Sequence, residues 1–177
     1  MENVKEEVKR FCLDIACGNN KKEGFVGVDV CKTEQADIVH DLNVYPWPFE
    51  DNSVDEAWCS HFIEHVEDLM KFMNEIHRIL KKDAPVTFIS PYYTSVRCWQ
   101  DPTHVRAISE QTYLYYNKAW REANKLDHYP ITCDFNISQW AHSWNANWAS
   151  RSQESKNFAI AHYNNVVDDL WAILIKL

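Results

Sequence analysis

Five groups of polar residues in this chain have types and spacing suited to chemistry, and four of them sit where short apolar runs end. Leu13-Asp14-Ile15-Ala16-Cys17-Gly18 places an acid and a glycine around one run, Asp29 and Val30 close a second, and Asp41-Leu42 and Ser60-His61 close two more. In an open parallel sheet, ligands bind in the crevice outside the carboxyl ends of the strands, so polar residues at strand ends are the informative ones. A glycine at position 18 lets the backbone approach a ligand closely, and an acid at position 29 is placed to accept hydrogen bonds from ribose hydroxyls. Both suit an adenosine-containing cofactor. Each residue alone reads more simply as a turn residue; their recurrence at successive strand ends is what makes a site. The fifth group lies further on, in Ser95 to Arg106. There Arg97 or Arg106 could hold an anionic group, and His104, near Asp101, could take a proton from a hydroxyl or amine. The plainer reading of the same segment is a solvated lid loop built on an Asp-Pro turn.

The elements needed to position these groups follow from periodicity. Val4, Val8 and Phe11 recur at helical spacing among charges and predict an amphipathic leading helix over 2–11. Strands are predicted over 13–17, 25–30, 37–40, 54–59 and 85–90. Between the first two lie too few residues for a crossover helix, which needs about a dozen, so a compressed turn is expected there. Tyr45-Pro46-Trp47-Pro48-Phe49 reads as a rigid surface loop, because its prolines cannot join a central ladder. From His61 onward, Val66, Leu69, Met70, Met73, Ile76 and Leu80 keep to one helical face. Beyond Pro91 the alternation of strand and helix breaks down. A helix over 109–119, an extended segment over 129–137, a helix over 153–162 and a last strand over 170–177 are expected. Trp140, Trp144 and Trp148, four apart, read more readily as core than as a substrate platform. The pattern predicts an α/β fold: a Rossmann-like, largely parallel seven-stranded sheet with helices on both faces and the first crossover helix shortened or missing.

Composition sets the limits. A chain of 177 residues, 46% of them hydrophobic, can bury one core and reads as a single domain over 1–177, with 92–165 as a substrate-side insertion and cap. A formal net charge of -8 argues against an extended nucleic-acid surface. No apolar run approaches the roughly 18 residues of a membrane span, so no membrane partner and a cytoplasmic location are expected. The six cysteines show no CxxC pair and read as reduced thiols.

With these residues in view, the chain resembles the class I S-adenosylmethionine-dependent methyltransferases. Leu13 to Gly18 looks like their first motif, with Ala16 where a glycine is usual. Asp29 matches the ribose-binding acid, and Asp41-Leu42 resembles the pair that brackets the adenine. The runs Pro48 to Asp55, Ser60 to Val66 and Arg78 to Lys81 look like the family's passage from loop through fourth strand to helix. The chain also departs from the pattern at Asp83-Ala84, where a glycine pair is usual. The resemblance implies S-adenosyl-L-methionine as cofactor, held by Asp14, Ala16, Cys17, Gly18, Asp29, Val30, Asp41, Leu42, Ser60 and His61. It implies methyl transfer to an oxygen or nitrogen of a small-molecule acceptor, with His104, Asp101 and Arg97 on the acceptor side. Two readings stay beside it: a non-catalytic nucleoside-binding module, and a nicotinamide oxidoreductase, which needs GxGxxG where this chain reads Ala16-Cys-Gly-Asn-Asn-Lys21. Two further motifs are set aside. His61-Phe-Ile-Glu64-His65 has the HxxEH spacing of inverted zinc peptidases. No third ligand can be assigned, so the histidines are read as pocket lining and no metal is expected. Ser90-Pro-Tyr-Tyr93 is similar to the tetrapeptide of amino-methylating DNA enzymes but follows the fifth strand rather than the fourth.

Overall fold

The computed structural model describes residues 10–177, and the leading helix expected over 2–11 lies outside the described residues. Seven strands form one sheet: β1 (Cys12–Ile15), β2 (Val26–Asp29), β3 (Ile38–Val39), β4 (Glu56–Ser60), β5 (Pro85–Pro91), β6 (Phe135–Trp144) and β7 (Val167–Lys176), in the order β3-β2-β1-β4-β5-β7-β6. β1 to β5 run parallel; β7 is antiparallel to both β5 and β6. The helices are α1 (Leu69–Ile79), α2 (Val96–Gln100), α3 (Glu110–Leu114), α4 (Lys118–Ala123), α5 (Ala146–Ala149) and α6 (Gln153–His162). This is the Rossmann-like sheet expected, and no helix joins β1 to β2. The chain between them folds back directly onto β2, with Cys17 N–H donating to the Val28 carbonyl at 3.1 Å. That close return explains Gly27: a Cβ there would meet Cys17 Sγ and the Gln35 carbonyl oxygen at 2.7 Å. The turn is pinned by Asp14, whose buried carboxylate accepts the Lys22 N–H at 2.7 Å, and by the Lys22 ammonium lying 3.8 Å from the centre of the Trp58 ring.

The core follows from strands that are apolar on both faces. Leu13, Ile15, Val28, Ala57, Cys59, Val86 and Phe88 are fully buried, as parallel strands covered on both sides require. Against them α1 lays Phe72, Met73, Ile76 and Ile79, three or four apart. The sequence pattern placed the start of this helix near His61, but α1 begins at Leu69. Asp68 ends the preceding turn by accepting the Lys71 N–H at 3.0 Å, and His61 has φ +54°, which no right-handed helix accommodates. The apolar face reads through the boundary because Ile63 and Val66 are buried from a turn instead.

Three further expectations are sharpened. The 45–49 loop lies outside the sheet with Pro46 and Pro48 exposed, but it is anchored in the core: Trp47 is 2% exposed and packs edge-on against Phe72 with ring centres 5.6 Å apart. Its N–H donates to Glu75 Oε1 at 2.6 Å and its indole N–H to the Leu42 carbonyl at 3.1 Å. The 109–119 helix is two short helices, α3 and α4, broken at Asn117, whose side chain caps α4. Trp140 and Trp144 lie on strand β6 and only Trp148 on a helix, α5. A spacing of four fits a two-residue period as well as a 3.6-residue one, and the reading as core holds in part: Trp144 and Trp148 pack against the core, whereas Trp140 is 38% exposed. All six cysteines are unpaired, and among the described residues no helix is long and apolar enough to cross a membrane.

One buried histidine sets a pH dependence. His77 packs edge-on against Phe135 with centroids 5.2 Å apart, and its imidazole is held below the usual 6.5 by burial and then by the nearby Lys176 ammonium, with Asp134 opposing. The unfolded chain therefore binds the proton more readily. The corresponding stability is fully present above about pH 6.5 and is lost as the pH falls through the depressed folded value. Urea midpoints compared at pH 7.5 and 5.5 are expected to fall further for the native chain than for His77→Leu. Equal slopes would remove His77 from the explanation.

Candidate active site

The parallel strands end along one edge of the sheet, and the polar residues at those ends fall into two cavities. The first, about 170 Å³, is lined by Ala16, Asp29, Val30, Asp41, Leu42 and Phe62, with Asn43 at its rim. Asp29 accepts Gly18 N–H through Oδ2 and Cys31 N–H through Oδ1, both at 2.9 Å. Each oxygen keeps a further lone pair, which is what a pair of ribose hydroxyls requires. Val30 leaves its side chain 59% exposed beside this acid, an apolar surface facing Leu42 across the cavity. Asp41 uses Oδ1 to accept Asn43 N–H at 2.9 Å, leaving Oδ2 for an exocyclic amine. The cavity therefore offers apolar surfaces together with two carboxylates that each keep acceptor capacity.

Ala16 stands in this wall with φ +58°, in the left-handed region where an L-residue is strained and glycine is not. Ala16→Gly is expected to stabilise the chain by about 0.5–1 kcal/mol, the relief of strain outweighing glycine's greater freedom in the unfolded state. A urea midpoint that stays level or falls would contradict this.

The second cavity, about 190 Å³, is lined by His61, Glu64, His65, Arg97, Asp101 and His104, together with Pro91 and Gln100. Its two walls are zipped together. Val105 N–H donates to the Glu64 carbonyl at 3.0 Å, and Arg106 Nη2 donates to the Glu67 carbonyl at 2.8 Å. His104 Nδ1 lies 2.9 Å from the Cys98 carbonyl. A carbonyl only accepts, so Nδ1 carries the proton and Nε2 is the free lone pair. Arg97 Nη1 is paired with Asp169 of β7 at 2.7 Å. Burial raises the Asp169 carboxyl above its ordinary range, with Arg97 opposing. Asp101 Oδ1 accepts both the N–H and the hydroxyl of Thr103, at 2.8 and 2.7 Å, which is the Asp-Pro turn of the plainer reading. These hydrogen bonds, the hydroxyl's first, lower its carboxyl pKa.

The residues expected around the cofactor thus divide. Ala16, Asp29, Val30, Asp41 and Leu42 share the first cavity; His61 lines the second; Asp14, Cys17, Gly18 and Ser60 line neither. Asp14 clamps Lys22, and Cys17 is a buried thiol pushed up to about 11 by burial. Of the segment 92–104, Arg97, Gln100, Asp101 and His104 line the second cavity and none lines the first. Phe62 and Asn43 were missed, although each adjoins a residue that the motifs single out. Glu64 and His65 were seen and discounted, because their partner lies forty residues away.

This sheet order and this cleft are those of the class I S-adenosylmethionine-dependent methyltransferase fold. Residues 13–88 match the family described as "Methyltransferase domain". The chain is similar, over 94% of its length and 86% of the other, to a SAM-dependent methyltransferase from Archaeoglobus fulgidus, at 20% identity and a TM-score of 0.65. It is also similar to a chain of the complex between the Haloferax volcanii Trm112 methyltransferase activator and a methyltransferase (16% identity, TM-score 0.60, 95% and 83% covered). A third likeness is to geranyl diphosphate C-methyltransferase from Streptomyces coelicolor A3(2), solved with Mg2+, geranyl diphosphate and S-adenosyl-L-homocysteine (14% identity, TM-score 0.57, 95% and 73% covered). At these identities the structures establish the fold. No curated protein matches the chain. The family match over residues 13–88 and the shared fold together support an enzyme of the S-adenosyl-L-methionine-dependent methyltransferase class.

Proposed function

We propose that the chain moves a methyl group onto an oxygen or nitrogen of a small polar acceptor seated in the second cavity. The observation that carries this reading is that consecutive residues line the two cavities, His61 the polar one and Phe62 the one that holds Asp29 and Asp41. Asp29 would hold the ribose, Asp41 the adenine amine, and Val30, Leu42 and Phe62 the faces of the base. The cofactor supplies a methyl already activated on a sulfonium, so the protein's contribution is alignment of the nucleophile and exclusion of water. His104 presents Nε2 to the acceptor's hydroxyl or amine. Asp101 holds the loop that carries His104, and Arg97, steadied by Asp169, lends a positive wall. On this reading the elements over 92–165 other than β6, which belongs to the sheet, form the acceptor side. The unpaired thiols and the acidic charge suit a cytoplasmic enzyme acting on small molecules rather than on nucleic acid.

The test is titration with S-adenosylmethionine and S-adenosylhomocysteine, followed by a panel of hydroxyl, carboxyl and amine acceptors with methyl-labelled cofactor. Binding together with labelled product from any O or N acceptor supports the proposal. Cofactor binding without transfer to any of them favours the non-catalytic module.

A further inference from the structure

We propose that Glu64, His65 and His104 form a site for a first-row divalent transition-metal ion in the wall of the second cavity. One ligand atom from each lies within 4.8 Å of the others, the one such trio of His, Cys, Asp or Glu side chains found among the described residues. The independent sign is Glu64 itself. It is 1% exposed, and neither carboxylate oxygen has a hydrogen-bond partner. Its nearest polar neighbours stand off, His61 Nδ1 at 3.5 Å and His104 Nε2 at 3.9 Å from Oε1. A buried carboxylate is costly unless something compensates it, and a cation between it and two imidazoles would do so.

The histidines are prepared for the role. His104 keeps its proton on Nδ1, facing the Cys98 carbonyl. His65 Nδ1 lies 3.0 Å from Thr103 Oγ1 and 3.3 Å from the Thr103 carbonyl. The Thr103 hydroxyl is already donating to Asp101, so His65 Nδ1 must donate too. Both rings are therefore held in the tautomer whose free lone pair is on Nε2. A partner that orients the ring through its other nitrogen is the usual second layer around a metal-bound histidine. The pair at His61 and His65 suggested by the HxxEH spacing is not the one that converges. Residues 61–65 form a turn rather than a helix, and the third group comes from the 101–106 loop. Two imidazoles and one carboxylate without a thiol favour zinc, manganese, iron, cobalt or nickel over magnesium and calcium, which prefer all-oxygen shells.

Three protein ligands leave coordination positions open, as catalytic rather than structural sites do. Those positions adjoin the cavity that also holds Arg97 and Gln100. Resting on the acceptor-side reading above, this assigns the cavity to acceptors with a hydroxyl or carboxylate oxygen able to coordinate the ion. In the loaded enzyme His104 Nε2 is a ligand, and the acceptor's hydroxyl is made acidic by coordination.

The experiment uses the full chain, stripped with chelator and dialysed, and titrated with Co2+ by visible absorption and with Zn2+ by calorimetry. Binding of about one equivalent of ion is expected. Affinity should fall at least tenfold in Glu64→Gln, His65→Ala and His104→Ala, and about tenfold in Thr103→Val, which loosens the orienting shell. Glu64→Gln removes a buried charge and is expected to fold. Zn2+ should raise the melting temperature of the native chain and leave that of Glu64→Gln unchanged. No bound equivalent in the native chain, or equal affinity in all the variants, overturns the site. Failure of S-adenosylhomocysteine to bind the native chain would instead overturn the methyltransferase reading and leave the ion titration standing.

Discussion

Asp29→Ala is expected to lower the affinity for S-adenosylmethionine by about a hundredfold, roughly 2–3 kcal/mol, the worth of one to two hydrogen bonds to a charged acceptor. The carboxylate has two tasks, however. Besides facing the cavity, it fastens Gly18 N–H and Cys31 N–H at 2.9 Å, so alanine also releases the turn after β1. Asp29→Asn separates the two. An amide oxygen can keep one backbone donor, but it cannot accept from both ribose hydroxyls as a carboxylate does. Calorimetric titration of both variants is expected to show a large loss in each, with the melting temperature lowered mainly in the alanine variant. Retained affinity in Asp29→Asn would place the ribose elsewhere.

The second large effect lies outside both cavities. Arg78 on α1 donates to Glu75 through Nε at 3.0 Å and Nη2 at 2.6 Å, and to the Trp47 and Phe49 carbonyls and the Asp51 carboxylate. Glu75, nearly buried, in turn accepts the Trp47 N–H. Arg78→Ala leaves that carboxylate without its guanidinium. The expected loss is about 3 kcal/mol, the low end of the range for a buried pair, because the arginine is itself partly exposed. For a domain of this size that is a fall in melting temperature on the order of 6–12 °C. Lysine should not rescue it, since one ammonium cannot replace a planar fork serving five acceptors. Glu75→Gln with Arg78→Met removes both charges and keeps an acceptor for Trp47. It should recover more than half of the loss, and a double variant as unstable as Arg78→Ala would show that packing rather than the uncompensated charge is responsible. Because Trp47 also holds the Leu42 carbonyl, a modest weakening of cofactor binding should accompany the loss of stability.

These two predictions differ in how readily the sequence shows their basis. Asp29 closes an apolar run after a glycine-containing turn, and a strand end is a local property. The same locality made Asp41-Leu42, the missing first crossover and the sheet class readable, because apolar runs and chain length between them are written along the chain. The Arg78 network is not local. Nothing near Trp47 reveals that its N–H will meet a carboxylate on a helix 28 residues later, and prolines around it suggest a surface loop. The start of α1 was misread for a related reason: burial continues from turn into helix, while the capping bond of Asp68 and the left-handed His61 interrupt the backbone without interrupting the apolar pattern.

The sequence by itself determined the Rossmann-like class, the placing of Asp29 and Asp41 at the ends of apolar runs, and the compressed turn between β1 and β2. Each rests on hydrophobic period, chain length or a residue at the end of its own strand. Only the tertiary structure decided that Asp14 clamps a turn, that Arg97, Asp101 and His104 share a cavity with His61, and that Glu64 and His65 meet His104. Those contacts join segments whose separation is set by sheet order and loop closure, and side-chain period along the chain carries no information about either.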